Sequence, residues 1–237
     1  MSNNLVVMIT GINRGIGHAL ATAYLLQPNC TVIGSIRDDT TPEAAKLLAI
    51  PKGDGSRLLL VKIESSSPTD ASSAVRKIEA AGINHIDILI ANAGVSPPLQ
   101  PIETVSLDDM ASTFNVNTLG PLALYQVCHS MLQNSKNPKF VPITSAAGSI
   151  GGMERGGTFV APAAAHCSSK WLVAVAISPG LVATDMGNKT AQYLGLERAP
   201  WTAEESAEKI MGLIEKATRD TYSGKFMDAI KGTEKPW

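Results

Sequence analysis

The chain alternates short apolar runs with longer amphipathic stretches from its first residues onward, and this pattern constrains its fold most strongly. The apolar runs show no polar alternation, which indicates strands that are buried on both faces. Strands of that kind, separated by helices, predict a parallel sheet with helices on both sides. We therefore predict an α/β fold with a single doubly wound parallel sheet, formed by one domain over residues 1–237. Strands are expected at residues 5–9, 31–36, 58–63, 86–91, 140–144, 172–177 and 225–227, and helices at 16–27, 42–49, 68–81, 106–133 and 202–217.

The composition argues against several classes of protein. The 20 basic and 21 acidic residues give a formal net charge of −1, so nucleic acid and membrane surfaces are not expected as partners. No apolar run is long enough to cross a bilayer, and the first residues lack a signal-peptide pattern, so we expect a cytoplasmic protein. Cys30, Cys128 and Cys167 are scattered, which predicts free thiols and no metal site.

A glycine-rich segment lies between the first predicted strand and the first predicted helix. It reads Thr10-Gly11-Ile12-Asn13-Arg14-Gly15-Ile16-Gly17. In such a loop the first glycine permits a tight turn, the second lets the backbone approach a pyrophosphate, and the third allows close packing of helix and strand. The helix N-terminus then faces the anion. This arrangement predicts a dinucleotide site in a Rossmann-like fold.

With Asn92-Ala93-Gly94 after the fourth predicted strand, the chain resembles the short-chain dehydrogenase/reductase family. Further motifs follow in the family's order: Asn115-Val116-Asn117, Ile143-Thr144-Ser145, and Pro179-Gly180 followed by Thr184. Within the family the chain is most similar to fungal polyketide ketoreductases of the norsolorinic acid ketoreductase type. The resemblance implies an oxidoreductase of secondary metabolism, such as mycotoxin biosynthesis, with a small carbonyl substrate. It implies that the cofactor is bound by Gly11, Asn13, Arg14, Gly15, Ile16, Gly17, Arg37, Glu64, Asn92, Ala93, Gly94, Lys170, Pro179, Gly180, Val182 and Thr184.

The predicted cofactor is NADP(H) rather than NAD(H). An acidic residue at the end of the second strand would bind a ribose 2′-hydroxyl, whereas an arginine there suits a 2′-phosphate. Here that strand ends in Arg37, and Arg14 lies in the glycine loop, so two guanidinium groups can flank one phosphate. Asp38 and Asp39 offer an alternative, because either carboxylate could pair with Arg37 instead.

The catalytic set implied by the resemblance is incomplete. Ser145, Asn117 and Lys170 match the family's serine, asparagine and lysine, but His166 occupies the position of its tyrosine. Histidine can act as a general acid. A cationic Lys170 one helical turn away would disfavour the protonated imidazole, and a neutral imidazole is a poor proton source. We therefore expect His166 to be a weak substitute.

The chain between Lys170 and Pro179 is too short for the family's crossover helix. Eight residues separate the two, and most of them belong to the predicted strand at 172–177. A parallel connection requires about a dozen residues or more. Either residues 161–170 form the crossover and Lys170 is removed from the chemistry, or Lys170 stays at the site and the strand is lost from its parallel position. We favour the first arrangement, which keeps Pro179, Gly180 and Thr184 beside the cofactor.

Two hypotheses of function follow. The first is an NADP(H)-dependent ketoreductase. The second is a catalytically impaired member that serves as a cofactor-binding or protein-binding scaffold, or a chain truncated by an error in gene prediction. Family members form homo-oligomers through the helix that is missing here and the long helix at 106–133, so we also expect exposed apolar surface on that long helix.

Overall fold

The structure is a computed structural model that describes residues 4–97, 100, 103–149, 151 and 171–237. Its strands are β1 (Leu5–Thr10), β2 (Cys30–Ile36), β3 (Arg57–Lys62), β4 (Ile88–Ala91), β5 (Lys139–Pro142), β6 (Val173–Ala174), β7 (Ala176–Ser178), β8 (Phe226–Asp228) and β9 (Thr233–Lys235). Its α-helices are α1 (Gly15–Leu26), α2 (Pro42–Leu48), α3 (Asp70–Ala80), α4 (Leu107–Phe114), α5 (Gly120–Gln133), α6 (Asp185–Tyr193) and α7 (Ala203–Lys216).

The first six strands form one parallel sheet in the order β3-β2-β1-β4-β5-β6. β1 lies inside it, with Val7 level with Val32 of β2 and with Ile88 of β4. The strand order reverses between β1 and β4, and such a switch point opens a crevice at the carboxyl ends of the strands. The predicted α/β fold is therefore confirmed, and this crevice is where a ligand is expected.

Helices cover both faces of the sheet and enclose one apolar core on each face. One core contains Leu20 of α1, Leu47 of α2 and Ile210 of α7. The other contains Ile78 of α3 and Leu132 of α5. These five helices turn apolar residues toward the sheet from both sides, which confirms the predicted doubly wound arrangement.

The segment predicted as one strand at 172–177 forms two short strands that stay parallel to their neighbours. Val173 of β6 is level with Lys139 of β5, and Ile177 of β7 forms a parallel bridge with Ile143. β7 then pairs with β8 in parallel, and β8 pairs with β9 in antiparallel fashion. The first of the two arrangements considered above is therefore confirmed for this strand.

Three local predictions differ from the structure. No helix was predicted between residues 177 and 202, but α6 starts at Asp185 because Thr184 caps it: the Thr184 hydroxyl accepts from the backbone N of Gly187 at 3.1 Å. β9 is short and polar, so no apolar run in the sequence predicted it. The helix expected at 106–133 continues through α4 and α5 but contains a π-helical turn at Asn115–Leu119.

Two further expectations concern the surface. In the described ranges no helix is long and apolar enough to cross a membrane. On the long helix, Leu107, Phe114, Leu119 and Leu122 are all exposed, with Leu107 at 83%. Apolar surface on this helix was expected, whereas the state of assembly stays a prediction.

Candidate functional site at the carboxyl edge of the sheet

The glycine loop connects the carboxyl end of β1 to α1 and is held against β2. The backbone N atoms of Gly11 and Ile12 both donate to the Ser35 carbonyl, at 3.0 and 3.1 Å. Gly11 and Gly15 have φ values of +72° and +58°, which L side chains adopt rarely. The sequence assigned a tight turn to Gly11, and the structure has one there.

Gly17 brings α1 close to the loop. A Cβ at this position would lie 2.2 Å from the Gly11 carbonyl oxygen and 2.5 Å from the Asn92 amide nitrogen. α1 begins with Arg14 at its N-cap, without a side-chain cap and without an acidic residue in its first turn. Its N-terminal N–H groups and the positive end of its dipole therefore point toward the place where a phosphate is expected.

Thr10 and Asn92 link this loop to the carboxyl end of β4. The Thr10 hydroxyl accepts from the backbone N atoms of Asn92 and Ala93, both at 3.0 Å. The Asn92 side chain donates to the carbonyls of Thr10 and Gly11, at 2.9 and 3.3 Å. The two motifs that the sequence assigned to one cofactor therefore form one hydrogen-bonded unit. Thr10 was not predicted as a functional residue, although it directly precedes the glycine loop.

Asn117 lies in the π-helical turn and holds the segment that follows Gly94. Its amide oxygen accepts from the backbone N of Val95 at 2.9 Å, and its amide nitrogen donates to the Val95 carbonyl at 2.8 Å. A Cβ on Gly94 would lie 3.2 Å from the same amide oxygen. The side chain of Asn117 thus fixes the backbone beside the switch point, at a π-helical turn of the kind that often occurs at functional sites.

Ser145 lies beyond the carboxyl end of β5, on the same edge of the sheet. The backbone N of Thr144 donates to the Ile177 carbonyl at 2.8 Å, which fixes the strand end next to β7. Ser145 caps the short 3₁₀-helix Ala146–Gly148, and its exposed hydroxyl accepts from the backbone N of Ala147 at 3.2 Å. That hydroxyl can still donate its own hydrogen to another group.

The loop at residues 179–184 returns to the glycine loop. A Cβ on Gly15 would lie 3.0 Å from the Thr184 methyl carbon. The Pro179 carbonyl accepts from the buried Ser206 hydroxyl of α7 at 2.9 Å. Val182 is buried and forms a parallel bridge with Trp201. Gly180, at φ +89°, packs so tightly against Ile230 that a Cβ would lie 2.5 Å from it.

Arg37 is exposed directly after the end of β2. The sequence left open whether Asp38 or Asp39 pairs with it. Asp38 instead accepts hydrogen bonds from the Thr40 hydroxyl and backbone N, which lower its pKa. Asp39 forms an ion pair with Lys77 at 3.5 Å. Neither carboxylate forms an ion pair with Arg37 in the described part of the chain.

Glu64 lines a small pocket between the carboxyl ends of β1, β3 and β4 and the helices α3 and α5. Its backbone N donates to Asp70 at 3.0 Å, and the Ser67 hydroxyl donates to the same carboxylate at 2.7 Å. These bonds lower the pKa of Asp70, the side-chain bond from Ser67 most strongly. The carboxylate of Asp70 therefore shapes the turn that carries Glu64 to the pocket.

His166 and Lys170 lie outside the described residues, as does Cys167. The first described residue after them is Trp171, whose ring contacts the His129 ring edge-on, with 5.3 Å between the centroids. His129 belongs to the last third of α5, and Leu172 is buried in the core below that helix. The chain therefore enters β6 from the amino side of the sheet.

The residues at the carboxyl edge fit a nicotinamide dinucleotide on three structural grounds. The lack of a side chain at Gly17 lets α1 pack closely against the glycine loop, the start of α1 presents N–H groups without a side-chain cap, and Arg14 and Arg37 supply positive charge. Asp185, which directly follows Thr184 and is not among the predicted site residues, forms an ion pair with Arg14. A threonine followed by an acidic residue is a helix-start signal that would have located it.

Comparisons with known proteins agree with this geometry. Residues 5–194 match the profile of the family described as short chain dehydrogenase. The chain is 41% identical to the short-chain dehydrogenase srdF of Neurospora crassa, over all of this chain and 99% of that protein. It is 35% identical to the norsolorinic acid ketoreductase of Aspergillus parasiticus, over 98% of this chain and 91% of that protein. A solved structure of an NADPH-bound carbonyl reductase from chicken fatty liver superposes with a TM-score of 0.80 at 25% identity, over 98% of each chain.

The length of one alignment bears on the short connection before β6. The alignment with the Neurospora crassa protein covers 253 positions, whereas this chain has 237 residues. At least 16 of those positions therefore have no residue of this chain opposite them. A shortened crossover, as inferred from the sequence, is consistent with a deficit of this size.

Proposed function

Since the chain belongs to the short-chain dehydrogenase family, we propose that it is an NADP(H)-dependent ketoreductase that acts on a polyketide-type carbonyl. The observation that carries this proposal is the convergence of three segments at the switch point: the glycine loop, Asn92-Ala93-Gly94, and the loop at 179–184. The identity to a norsolorinic acid ketoreductase supports the substrate class.

The preference for NADP(H) rests on charge. Arg37 at the end of β2 and Arg14 in the glycine loop are both exposed, and the two acids next to Arg37 are engaged by Thr40 and Lys77. A guanidinium free of a neighbouring carboxylate can bind a 2′-phosphate with charge-assisted hydrogen bonds. The pocket lined by Glu64 is the proposed site of the adenine.

Ser145 is the residue proposed to orient the substrate carbonyl. Its hydroxyl oxygen accepts one bond from the Ala147 backbone N, and its hydrogen can be donated to the carbonyl oxygen of a ketone. When bound, the reduced nicotinamide would supply the hydride. In this candidate function His166 stands in the place of the family's tyrosine as a weak proton donor, and Lys170 and Asn117 complete the set that the resemblance implies.

A second candidate function, a scaffold that binds the cofactor without turnover, is favoured by the path of the chain into β6. Val173 is level with Lys139, and Ser145 lies six residue steps after Lys139, about 20 Å along an extended chain. Lys170 precedes Trp171, at a Cα–Cα distance of about 3.8 Å, and Trp171 contacts His129. Lys170 itself lies outside the described residues, so its separation from the cofactor stays a prediction from the sequence.

Binding and turnover distinguish the two candidates. NADPH binding is measured by fluorescence titration, and NADPH oxidation is followed at saturating cofactor with an anthraquinone or tetralone ketone. A ketoreductase oxidises NADPH, and Ser145→Ala lowers kcat while the NADPH dissociation constant stays unchanged. Tight binding without oxidation supports the scaffold. If His166→Ala abolishes a measurable turnover, the imidazole is the working acid and the scaffold is rejected.

A further inference from the structure

An ion pair joins the glycine loop to the start of α6. The Nη1 atom of Arg14 contacts the Oδ2 atom of Asp185, and the side chains are 65% and 73% exposed. Asp185 occupies the first turn of α6, directly after the Thr184 cap. The adjoining Gly15 and Thr184 are also in close contact, so the pair belongs to a fixed junction between the two loops.

We propose that Asp185 lowers the selectivity of the site for NADP(H) over NAD(H) by holding the guanidinium of Arg14. This inference rests on the proposed cofactor site. Arg14 carries one positive charge and a limited set of donors, and a carboxylate competes with a phosphate for both. With Asp185 in contact, a 2′-phosphate gains less from Arg14 than it would from a free guanidinium.

Asp185 weakens the binding of a 2′-phosphate by Arg14 and leaves its binding by Arg37 unaffected. Asp38 and Asp39, which flank Arg37, are bonded to Thr40 and Lys77. Arg37 therefore keeps its charge available, whereas Arg14 shares its charge with a partner across the crevice. NADP(H) carries the 2′-phosphate and NAD(H) does not, so a change at Asp185 acts mainly on the former.

The test is a double-mutant cycle on the full-length protein, with NADPH and NADH titrated by fluorescence at low salt. We expect Asp185→Asn to lower the NADPH dissociation constant about two- to fivefold, the range that exposed ion pairs span, and to raise the NADPH/NADH affinity ratio. In the Arg14→Ala background the same substitution changes neither quantity. The gain shrinks at high salt, because exposed charges are screened.

Glu234→Gln is the matched control. It removes one negative charge and one exposed ion pair, with Lys225 at 3.3 Å, beside the amino end of β8 and away from the glycine loop. This variant should leave both dissociation constants unchanged. An equal gain from Glu234→Gln would mean that overall charge, and not the Arg14 contact, controls binding.

Two results overturn this inference alone: unchanged or weaker NADPH binding by Asp185→Asn, or the same gain in the Arg14→Ala background. In both cases the wild-type protein still binds NADPH. A folded wild-type protein that binds no NADPH would instead overturn the proposed function, and this inference with it.

Discussion

Replacing Gly17 with alanine adds one methyl group where the structure has no room for it. The new Cβ would lie 2.2 Å from the Gly11 carbonyl oxygen and 2.5 Å from the Asn92 amide nitrogen. Real Cβ atoms essentially never approach other atoms within 3.0 Å. The Gly11 atom is backbone and cannot rotate away, so the start of α1 must move by about 1 Å or the loop must open.

The magnitude follows from this forced movement. Adding a methyl group to a close-packed site costs about 1–3 kcal/mol in the free energy of unfolding. For a chain of this size each kcal/mol lowers Tm by about 2–4 °C, so we expect a decrease of several degrees. The shift also separates Asn92 from the loop, and we expect the NADPH dissociation constant to rise at least about tenfold, which corresponds to about 1.4 kcal/mol.

Thermal unfolding and NADPH titration of Gly17→Ala, beside Gly212→Ala, test this reasoning. Gly212 lies within α7, and a Cβ there would meet nothing within 4 Å. The same substitution at Gly212 should therefore stabilise the protein by about 0.4–1 kcal/mol, through helix propensity and a less flexible unfolded chain. If Gly17→Ala leaves both Tm and NADPH affinity unchanged, the steric argument is wrong.

Three other predictions concern the core and the helix ends. Lys139 is buried and its amine donates to the Ile214 carbonyl at the end of α7, so Lys139→Met should lower the free energy of unfolding in urea by about 1.5–3 kcal/mol; an equally stable variant would contradict this role. Thr202 and Glu205 form a capping box, so Thr202→Ala should cost about 1 kcal/mol by thermal unfolding and Thr202→Ser little. Burial raises the pKa of the Cys30 and Cys128 thiols to about 12, so peptide mapping after iodoacetamide at pH 8 should find both unmodified in the folded protein. Because these pKa values are raised, the neutral thiols contribute stability below pH 9 that is lost as the pH rises from 9 toward 12, and a flat urea midpoint across that range in a comparison with Cys128→Ala would refute the assignment.

The sheet could be predicted from the sequence because its strands are buried on both faces. β1 and β2 consist almost wholly of buried residues, so their apolar runs stand out from the flanking helices. β9 (Thr233–Lys235) could not be found in that way, because it is three residues long and mostly exposed. Its position depends on hydrogen bonds to β8, which are tertiary contacts without a local signal.

The candidate site was predictable where the backbone geometry itself requires a particular residue type. Gly11, Gly17 and Asn92 follow from the turn, the close approach and the link between strands. The contact between Arg14 and Asp185 joins residues 171 positions apart, and no spacing in the sequence indicates it. Asn117 forms two hydrogen bonds with the backbone of Val95 from within the π-helical turn. The apolar pattern of a helix does not reveal such a turn, so these bonds could not be predicted.

The parallel course of β6, which begins just after Trp171, limits how the family's full catalytic arrangement could be accommodated in this chain. Tyrosine in place of His166 would restore a phenol but would add no length to the backbone. With Val173 fixed beside Lys139, the chain after Lys170 needs about a dozen additional residues to travel from the Ser145 edge back to the start of the strand. A chain with β6 in its parallel place and the family's full crossover would therefore require an insertion, which single substitutions cannot supply.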